Sequence, residues 1–577
     1  MLHPFSNDGP PRHSDFVTKG LLPANLPSVI SSASLHLPYV AEGNRYLVTQ
    51  NRVGKTAPFD ATKRGEQRRS FQIPHPMFAR DAGLFIQSHW PAIWEHIDAS
   101  EGSASKPMKP ASHYRATAMT SQSRLREIRV RKLAAKRYCL VTDIARCFPS
   151  VYTHSIPWAL HGKQAAKQDR RQQSADIWGN KLDFIHRQAQ DGQTIGLPVG
   201  PDASRVTAEI ILASVDVNYL QSTKTKTSFV RHVDDYWIGG DSIDDCEKSL
   251  NLLRRGLGYF GLDINESKTR IVELSEVTGS YWPDDLANKI EEVFKVREYF
   301  TTGRRVHRSD INDLFARSIK TVLETKDSAI IKFILRKMDR SSVWTENWEK
   351  VEPFLAHIAV QFPHVFDYVA RILAWAIRRG VSIDRALWRE VVGAVAKTSA
   401  DFGRDGELLW ALWLYKELGF KVPRPLIDKA IESSGPLPLA LAAHMATDGL
   451  VTNPNFFESL RIRVSSPDMY SGSDWPLLLE LFHLVEAGSL RQEHPFDGSL
   501  MQRPFAEEVS IIRYNAYPEV FYEDREDRED RQDFEINEDF HFPDHAIEDF
   551  TSSYDDDDEK ADDENGVDGF TWKSASF

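Results

Sequence analysis

The stretch Phe229-Val-Arg-His-Val-Asp-Asp-Tyr-Trp-Ile-Gly239 places two adjacent aspartates, Asp234 and Asp235, between two short runs of strand-forming residues. Two such runs separated by a polar pair read as a β-hairpin with the acids at its tip. A second stretch, Tyr138-Cys-Leu-Val-Thr-Asp-Ile-Ala-Arg-Cys-Phe148, ends its own strand-like run on Asp143. If these strands pair, three carboxylates meet at one end of a sheet. An isolated Asp-Asp pair is most often turn chemistry, because the side chain bonds its own backbone. Its meaning here depends on its surroundings.

Between the two stretches lies Gly192-Gln-Thr-Ile-Gly-Leu-Pro-Val-Gly200, a glycine-punctuated loop that feeds a helical segment with Val206, Ile210, Ala213 and Val217 on one face. After the hairpin come a helix over 246–260 and Gly261-Leu-Asp-Ile-Asn-Glu-Ser-Lys-Thr-Arg-Ile-Val272, a turn and strand. Upstream, residues 1–35 read as a mostly irregular arm rich in Pro, Ser, Asn and Asp. To about residue 135, helical stretches alternate with basic loops, Lys63-Arg-Gly-Glu-Gln-Arg-Arg69 and Arg124-Leu-Arg-Glu-Ile-Arg-Val-Arg-Lys132. Beyond residue 305 helical periodicity dominates, over 311–324, 329–337, 351–379, 385–397, 407–418, 426–431, 437–448 and 476–487. Helix pairs joined by short Pro/Gly turns resemble an α-solenoid of the HEAT type, although no clean repeat period emerges. The expected fold is therefore an antiparallel sheet with helices over 36–295, an α-helical repeat region over 300–510, and an acidic tail over 520–577 too charged to bury a core.

A chain of 577 residues exceeds what one core supports. Its net charge of −12 conceals a division: residues 522–577 hold 22 acidic and 5 basic side chains, which leaves +5 on residues 1–521. The body is mildly basic and suits phosphate backbones, whereas the tail is a separate polyanion. Three cysteines at unhelpful spacing argue against a disulfide framework or structural zinc and for a reducing cytoplasm. With no apolar run of about 18 residues and no basic-then-apolar leader, neither a membrane span nor a secretory signal is expected. Gly54-Lys55-Thr56 imitates the end of a P-loop, but Thr49 stands where that motif requires glycine.

Phosphoryl transfer depends mainly on positioning and charge neutralisation. Two Mg²⁺ ions roughly 4 Å apart can activate an attacking hydroxyl and stabilise a leaving pyrophosphate. Magnesium takes hard oxygen ligands and keeps some water, so two or three carboxylates plus a triphosphate suffice. Asp143, Asp234 and Asp235 could supply that set.

In order along the chain stand Asp143-Ile-x-x-x-Phe148, Gly196-Leu-Pro-x-Gly200 with Ser204 and the following helix, an x-Asp-Asp at 233–235, and Gly261-Leu-x-Ile-Asn-x-x-Lys268-Thr269. This series resembles the four ordered palm motifs of reverse transcriptases and covers roughly residues 40–275. The stretch from Phe148 to Lys163, with the helical C-terminal half, further resembles the abortive-infection and defence-associated reverse transcriptases of bacteria. The resemblance implies a DNA polymerase of anti-phage defence. Asp143, Asp234 and Asp235 would be its catalytic metal ligands, joined by the Ile144 backbone carbonyl. Phe148 would exclude a ribose 2′-hydroxyl, so dNTPs would be used. Gly196, Pro198, Val199 and Gly200 would shape the nucleotide loop, and Lys268 would lie near the phosphates.

Two departures stand out. His232 occupies the usual aromatic position of the third motif. Val199 replaces a glutamine that touches nucleotide and template, and an apolar side chain cannot make that hydrogen bond, which opens untemplated or narrowly templated synthesis. The basic segments offer Arg64, Arg68, Arg69, Arg129 and Arg131 for tracking a nucleic-acid backbone. Expected partners are dNTPs, a single-stranded DNA product, with or without a non-coding RNA, and a second copy or companion defence protein. Relatives of this kind can prime from a protein tyrosine. Tyr39, Tyr46, Tyr514, Tyr517 and Tyr522 are candidates, and the sequence selects none of them. Two other readings stay open: a reverse-transcriptase fold with vestigial chemistry that binds RNA or a partner, and a retron- or intron-type enzyme, hinted at by Val277-Thr278-Gly279.

Overall fold

The computed structural model describes residues 9–64, 67–110, 115–223, 228–278, 308–325, 329–339, 341–497 and 499–518. The acidic tail and part of the Val277-Thr278-Gly279 tripeptide lie outside the described residues.

Alternation builds the central sheet. Strands β3 (Tyr138–Asp143), β4 (Phe229–His232), β5 (Asp235–Gly240) and β6 (Arg270–Glu273) pair antiparallel in the order β4-β5-β3-β6. Leu140, Tyr236 and Ile238 pack with the buried helix Asp202–Ser222 in one core, and Cys139, Val141 and Trp237 pack in a second cluster with Leu125 and Leu133. Strand β4 would be an open edge, a liability for a sheet. The segment 102–104 covers it: Arg231 N–H donates to the Gly102 carbonyl (2.9 Å), and Ala104 N–H donates to the Arg231 carbonyl (2.7 Å). Glycine is required at 102, because a Cβ there would stand 2.1 Å from the Phe229 ring.

Both basic segments differ from the loops expected. Of the first, residues 63–64 and 67–69 lie on paired strands, β1 (Ala57–Arg64) and β2 (Gln67–Ile73), in which Ala57 faces Ile73, Phe59 faces Phe71 and Ala61 faces Arg69. Alternation in that hairpin runs through charged residues and is easily missed. Residues 124–132 lie in the helix Gln122–Leu133, capped by Ser121, whose hydroxyl accepts the Arg124 N–H. Arg, Lys, Glu and Leu are good helix formers, and Leu125 and Leu133 bury one face.

Most helices of the second half fall on the expected segments; the helix Phe456–Val464 is not among them, and one expected span is divided. The span 351–379 is two helices, Ser341–Gln361 and Phe366–Arg378, parted at Phe362-Pro363. The first 35 residues, mostly irregular in backbone where described, are packed against the body: Phe16, Val17, Leu21, Leu22 and Val29 are buried, and Ile30 forms an antiparallel bridge with Ile512.

The boundary between the two halves is not where composition places it. One continuous core contains Ala57, Phe59 and Ile73 of the β1–β2 hairpin together with the large apolar residues of the helices from Ile311 to Phe505. Polar ties reinforce it. The Trp475 indole N–H donates to the Ile73 carbonyl (3.3 Å), His75 bonds the Met501 carbonyl (3.0 Å), and Lys55 pairs with Asp468 (2.8 Å).

Candidate active site

Register brings the acids together. Asp143 is the Cα partner of Asp235 across β3 and β5, and paired residues on antiparallel strands project to one face. Asp234 sits in the two-residue turn between β4 and β5, and its carbonyl accepts the Ile144 N–H at 3.1 Å. The turn depends on Val233, a β-branched residue held at φ +53°, where only glycine is comfortable.

That strained turn is clamped from below. The Arg231 guanidinium is fully buried; it binds both Glu209 oxygens (2.8 Å each) and Asp216 Oδ2 (2.8 Å), and donates to the Val233 carbonyl at 3.1 Å. Tyr236 donates its hydroxyl to Asp216 Oδ1 at 2.8 Å, and the hydroxyls of Ser100 and Ser103 satisfy the remaining carboxylate valences. Ser105 Oγ accepts the Val233 N–H. Burial alone would suppress the Arg231 charge, yet Asp216 and Glu209 hold its pKa well above the ordinary value. Sequence reading missed this network, although Glu209 and Asp216 are seven residues apart in one helix and so share a face.

Asp143 is 5% exposed, and its Oδ1 has no hydrogen-bond partner. Its Oδ2 accepts from the Lys268 ammonium at 2.5 Å. Burial raises the Asp143 pKa, Lys268 opposes that rise, and Asp235 and Asp234 add to it. Burial lowers the Lys268 pKa, but the Asp143 hydrogen bond and the three acids more than compensate, leaving it raised. Asn265 N–H donates to the Asp143 carbonyl (2.8 Å), and the Thr142 and Thr269 hydroxyls bond at 2.7 Å, which fixes the 263–269 turn against β3.

The donor set fits a hard cation in part. A buried carboxylate oxygen with no donor, two further acids at the same sheet end, and an ammonium already seated on Asp143 together make a cation-seeking site. Among the described residues no group of three or more Asp, Glu, His or Cys side chains is gathered tightly enough to enclose a metal unaided. Outer ligands would have to come from phosphate oxygens and water.

The remaining predicted residues divide. Gly196 (φ +99°) and Gly200 (φ +116°) supply backbone that other residues resist. The Gly196 and Leu197 N–H groups bond the Val151 and Phe148 carbonyls, and the Val199 carbonyl accepts the Gln72 N–H of β2 at 3.1 Å, so the loop links palm to hairpin. Pro198 is buried. Phe148 is half-buried and borders a cavity of about 20 Å³ together with Val233, Met119 and Leu212.

Two of the five arginines have partners within the protein. Arg68 is engaged internally, bonding Asp60 (2.6 Å through Nε) and Glu407 (2.8 Å). Arg129 is 8% exposed, with its guanidinium 4.7 Å from the Trp237 ring centre. Arg131 is exposed and Arg69 half-buried; the Arg64 side chain lies outside the described residues. Lys63, within the basic run but not singled out by it, is closer to the chemistry. Burial lowers its pKa, Arg69 and Lys268 push it further down, and Asp234 and Asp235 pull it up. Among the tyrosines, Tyr39 is fully buried, the Tyr46 hydroxyl is enclosed with its pKa raised by burial to about 12, and Tyr517 is 48% exposed. Tyr522 lies outside the described residues.

Against known proteins, residues 103–299 match the family described as reverse transcriptase (RNA-dependent DNA polymerase). These residues are a reverse-transcriptase domain. The match takes in the strand-covering segment, all three acids and Lys268. No curated protein sequence matches the chain. Among solved structures, apo telomerase from Candida tropicalis truncated from its C-terminal domain aligns at 14% identity over 39% of this chain and 51% of that one, with a TM-score of 0.26. Telomerase from Candida albicans, in complex with the TWJ fragment of telomeric RNA, aligns at 12% identity over 63% and 65%, TM-score 0.25. Apo telomerase from Candida tropicalis aligns at 11% over 67% and 70%, TM-score 0.27. The chain thus spans about half the length of the first of these, and no residue's role rests on the likeness. The helices beyond Arg308 lie outside the matched reverse-transcriptase domain. No helix among the described residues is long and apolar enough to cross a membrane.

Proposed function

We propose that the chain is a magnesium-dependent DNA-synthesising nucleotidyltransferase of anti-phage defence. The observation that carries this is Asp143: a buried carboxylate with one oxygen lacking a hydrogen-bond partner, in register with Asp235 and followed by Ile144, whose N–H bonds the Asp234 carbonyl of the turn. Asp143, Asp234 and Asp235 would hold the ions, with the Ile144 carbonyl beside them, and the ions when bound would polarise the attacking hydroxyl and the triphosphate. Lys268 would leave Asp143 as the cation enters and present its ammonium to the phosphates, where it can stabilise or protonate departing pyrophosphate. Phe148 would bar a 2′-hydroxyl and favour dNTPs. Val199 offers no side-chain hydrogen bond to a template, so the reading extends to untemplated or narrowly templated synthesis, primed by nucleic acid or by a tyrosine. Buried hydroxyls disfavour Tyr39 and Tyr46 as primers.

A second reading has one observation behind it. Lys268 already neutralises Asp143, as it would in a vestigial site that only holds RNA or a partner. One assay decides between them. Purified full-length protein is incubated with Mg²⁺ and each dNTP singly, with and without RNA, and products are challenged with protease, RNase and DNase. Incorporation by wild type and none by Asp234→Asn supports the enzyme; no product from either leaves the binding protein. Product from one dNTP without RNA supports untemplated synthesis, and a protease-sensitive product supports a protein primer.

A further inference from the structure

Phe148 is held firmly at its backbone and loosely at its ring. It lies in the short helix Cys147–Ser150, and its carbonyl accepts the Leu197 N–H of the nucleotide loop at 2.8 Å. Its side chain is half-buried against the palm core and lines the cavity of about 20 Å³, together with Met119, Val206, Leu212 and Val233. That volume suits one water or one methyl group and no substrate.

The other walls of the cavity are fixed. Val206 and Leu212 are each 1% exposed on the helix Asp202–Ser222. The segment that carries Met119 is tied to the first turn of the same helix. Asp202, fully buried, accepts the Ala116 N–H (2.8 Å) and the Thr117 N–H (3.3 Å), and Arg205 donates to the Thr117 carbonyl (3.1 Å). Val233 belongs to the turn that Arg231 clamps. Met119 contributes an unbranched, adaptable side chain, packed with Ala118, Met108 and Val233 in a small cluster apart from the main cores.

In a close-packed interior a ring cannot shift without displacing its neighbours. A ring that borders a void lacks contact partners on that side and shifts toward it at little cost. A ribose differs from a deoxyribose by one oxygen, about the displacement that this cavity can absorb. We propose that Phe148 is a yielding bar: pressed by a 2′-hydroxyl, its ring gives way into the cavity, so that ribonucleoside triphosphates are secondary substrates, and Met119 is the specificity-determining residue that sets how strictly they are refused. This rests on the polymerase reading above and concerns the sugar alone.

The test uses the full-length chain as wild type, Val206→Ile, Met119→Ala and Met119→Leu. Each is given Mg²⁺ and matched dNTP and NTP pairs, and the ratio of kcat/KM for the two sugars is measured beside the melting midpoint. Wild type should incorporate both and favour the deoxy form by about 100-fold or less, the limit for refusing an added hydroxyl without a rigid wall. Val206→Ile fills the cavity by one methyl group. It should raise the ratio about tenfold by lowering NTP use, with dNTP use unchanged. Met119→Ala enlarges the cavity and should lower the ratio toward one, whereas Met119→Leu, of similar volume, should restore the wild-type ratio. A merely structural role would change both sugars alike. Incorporation of dNTPs with a ratio that no variant moves, or a wild type that refuses NTPs by more than about 1,000-fold, overturns the proposal and leaves the polymerase reading standing. No incorporation of either sugar overturns that reading and the proposal with it.

Discussion

At Asp143, burial and two neighbouring acids favour the proton while Lys268 favours the charge, and the net shift is upward. The folded state therefore holds this proton to higher pH than the unfolded chain does, and ionising it lowers stability. Asp143→Asn should melt no lower than wild type at neutral pH while incorporation falls by about 10³-fold or more; scanning calorimetry beside a dNTP assay checks both. Lys268→Met removes the competitor on Asp143. It should lower the Mg²⁺ concentration needed for half-maximal incorporation and also lower the maximal rate, and a Mg²⁺ titration of both proteins reads the two effects separately. Histidines set the acid limit. Burial lowers the pKa of His75 and of His186 to about 4. His75 Nδ1 already accepts the Met77 N–H, and its Nε2–H faces the Met501 carbonyl. A lowered histidine stabilises the fold above the unfolded value near 6.5 and loses that contribution as pH falls toward 4. Each should cost about 2 kcal/mol at pH 5, so His186→Gln should flatten the fall in melting midpoint between pH 7 and pH 5.

The hairpin that carries Asp234 was legible as an element, since its apolar runs and polar tip are local features. Its support was not. Arg231, Glu209 and Asp216 come from two elements, and only the packing of the helix Asp202–Ser222 beneath the sheet brings them together. Lys63 and Arg68 illustrate the same limit: both belong to one basic run, yet one lies within range of the acids and the other is engaged by Asp60 and Glu407. Which of them faces the site depends on strand register. The buried network also predicts a large effect. Arg231→Leu leaves two buried carboxylates uncompensated and should destabilise by about 3–5 kcal/mol, measurable by urea unfolding. Glu209→Gln keeps the shape and half the bonds. It should lower the maximal rate more than it raises the dNTP KM, because it loosens the Val233 turn without touching substrate.

On the scale of the whole molecule, the sequence divided the chain by composition, whereas the structure divides it by core. The β1–β2 hairpin is encoded among the palm segments but buries Ala57, Phe59 and Ile73 in the helical half. Nothing local in residues 57–73 names that partner, because burial against a segment hundreds of residues away leaves no periodic mark. Unfolding should accordingly be one cooperative transition by calorimetry and by intrinsic tryptophan fluorescence. Glu407→Ala, at the junction, should lower that single midpoint without splitting it. The shared core has a further consequence. The hairpin strands and the helical half share one core, with the Val199–Gln72 hydrogen bond linking the hairpin to the palm loop. The helices packed on the hairpin are thereby tied, through it, to Lys63, whose charge lies within the fields of Asp234 and Asp235.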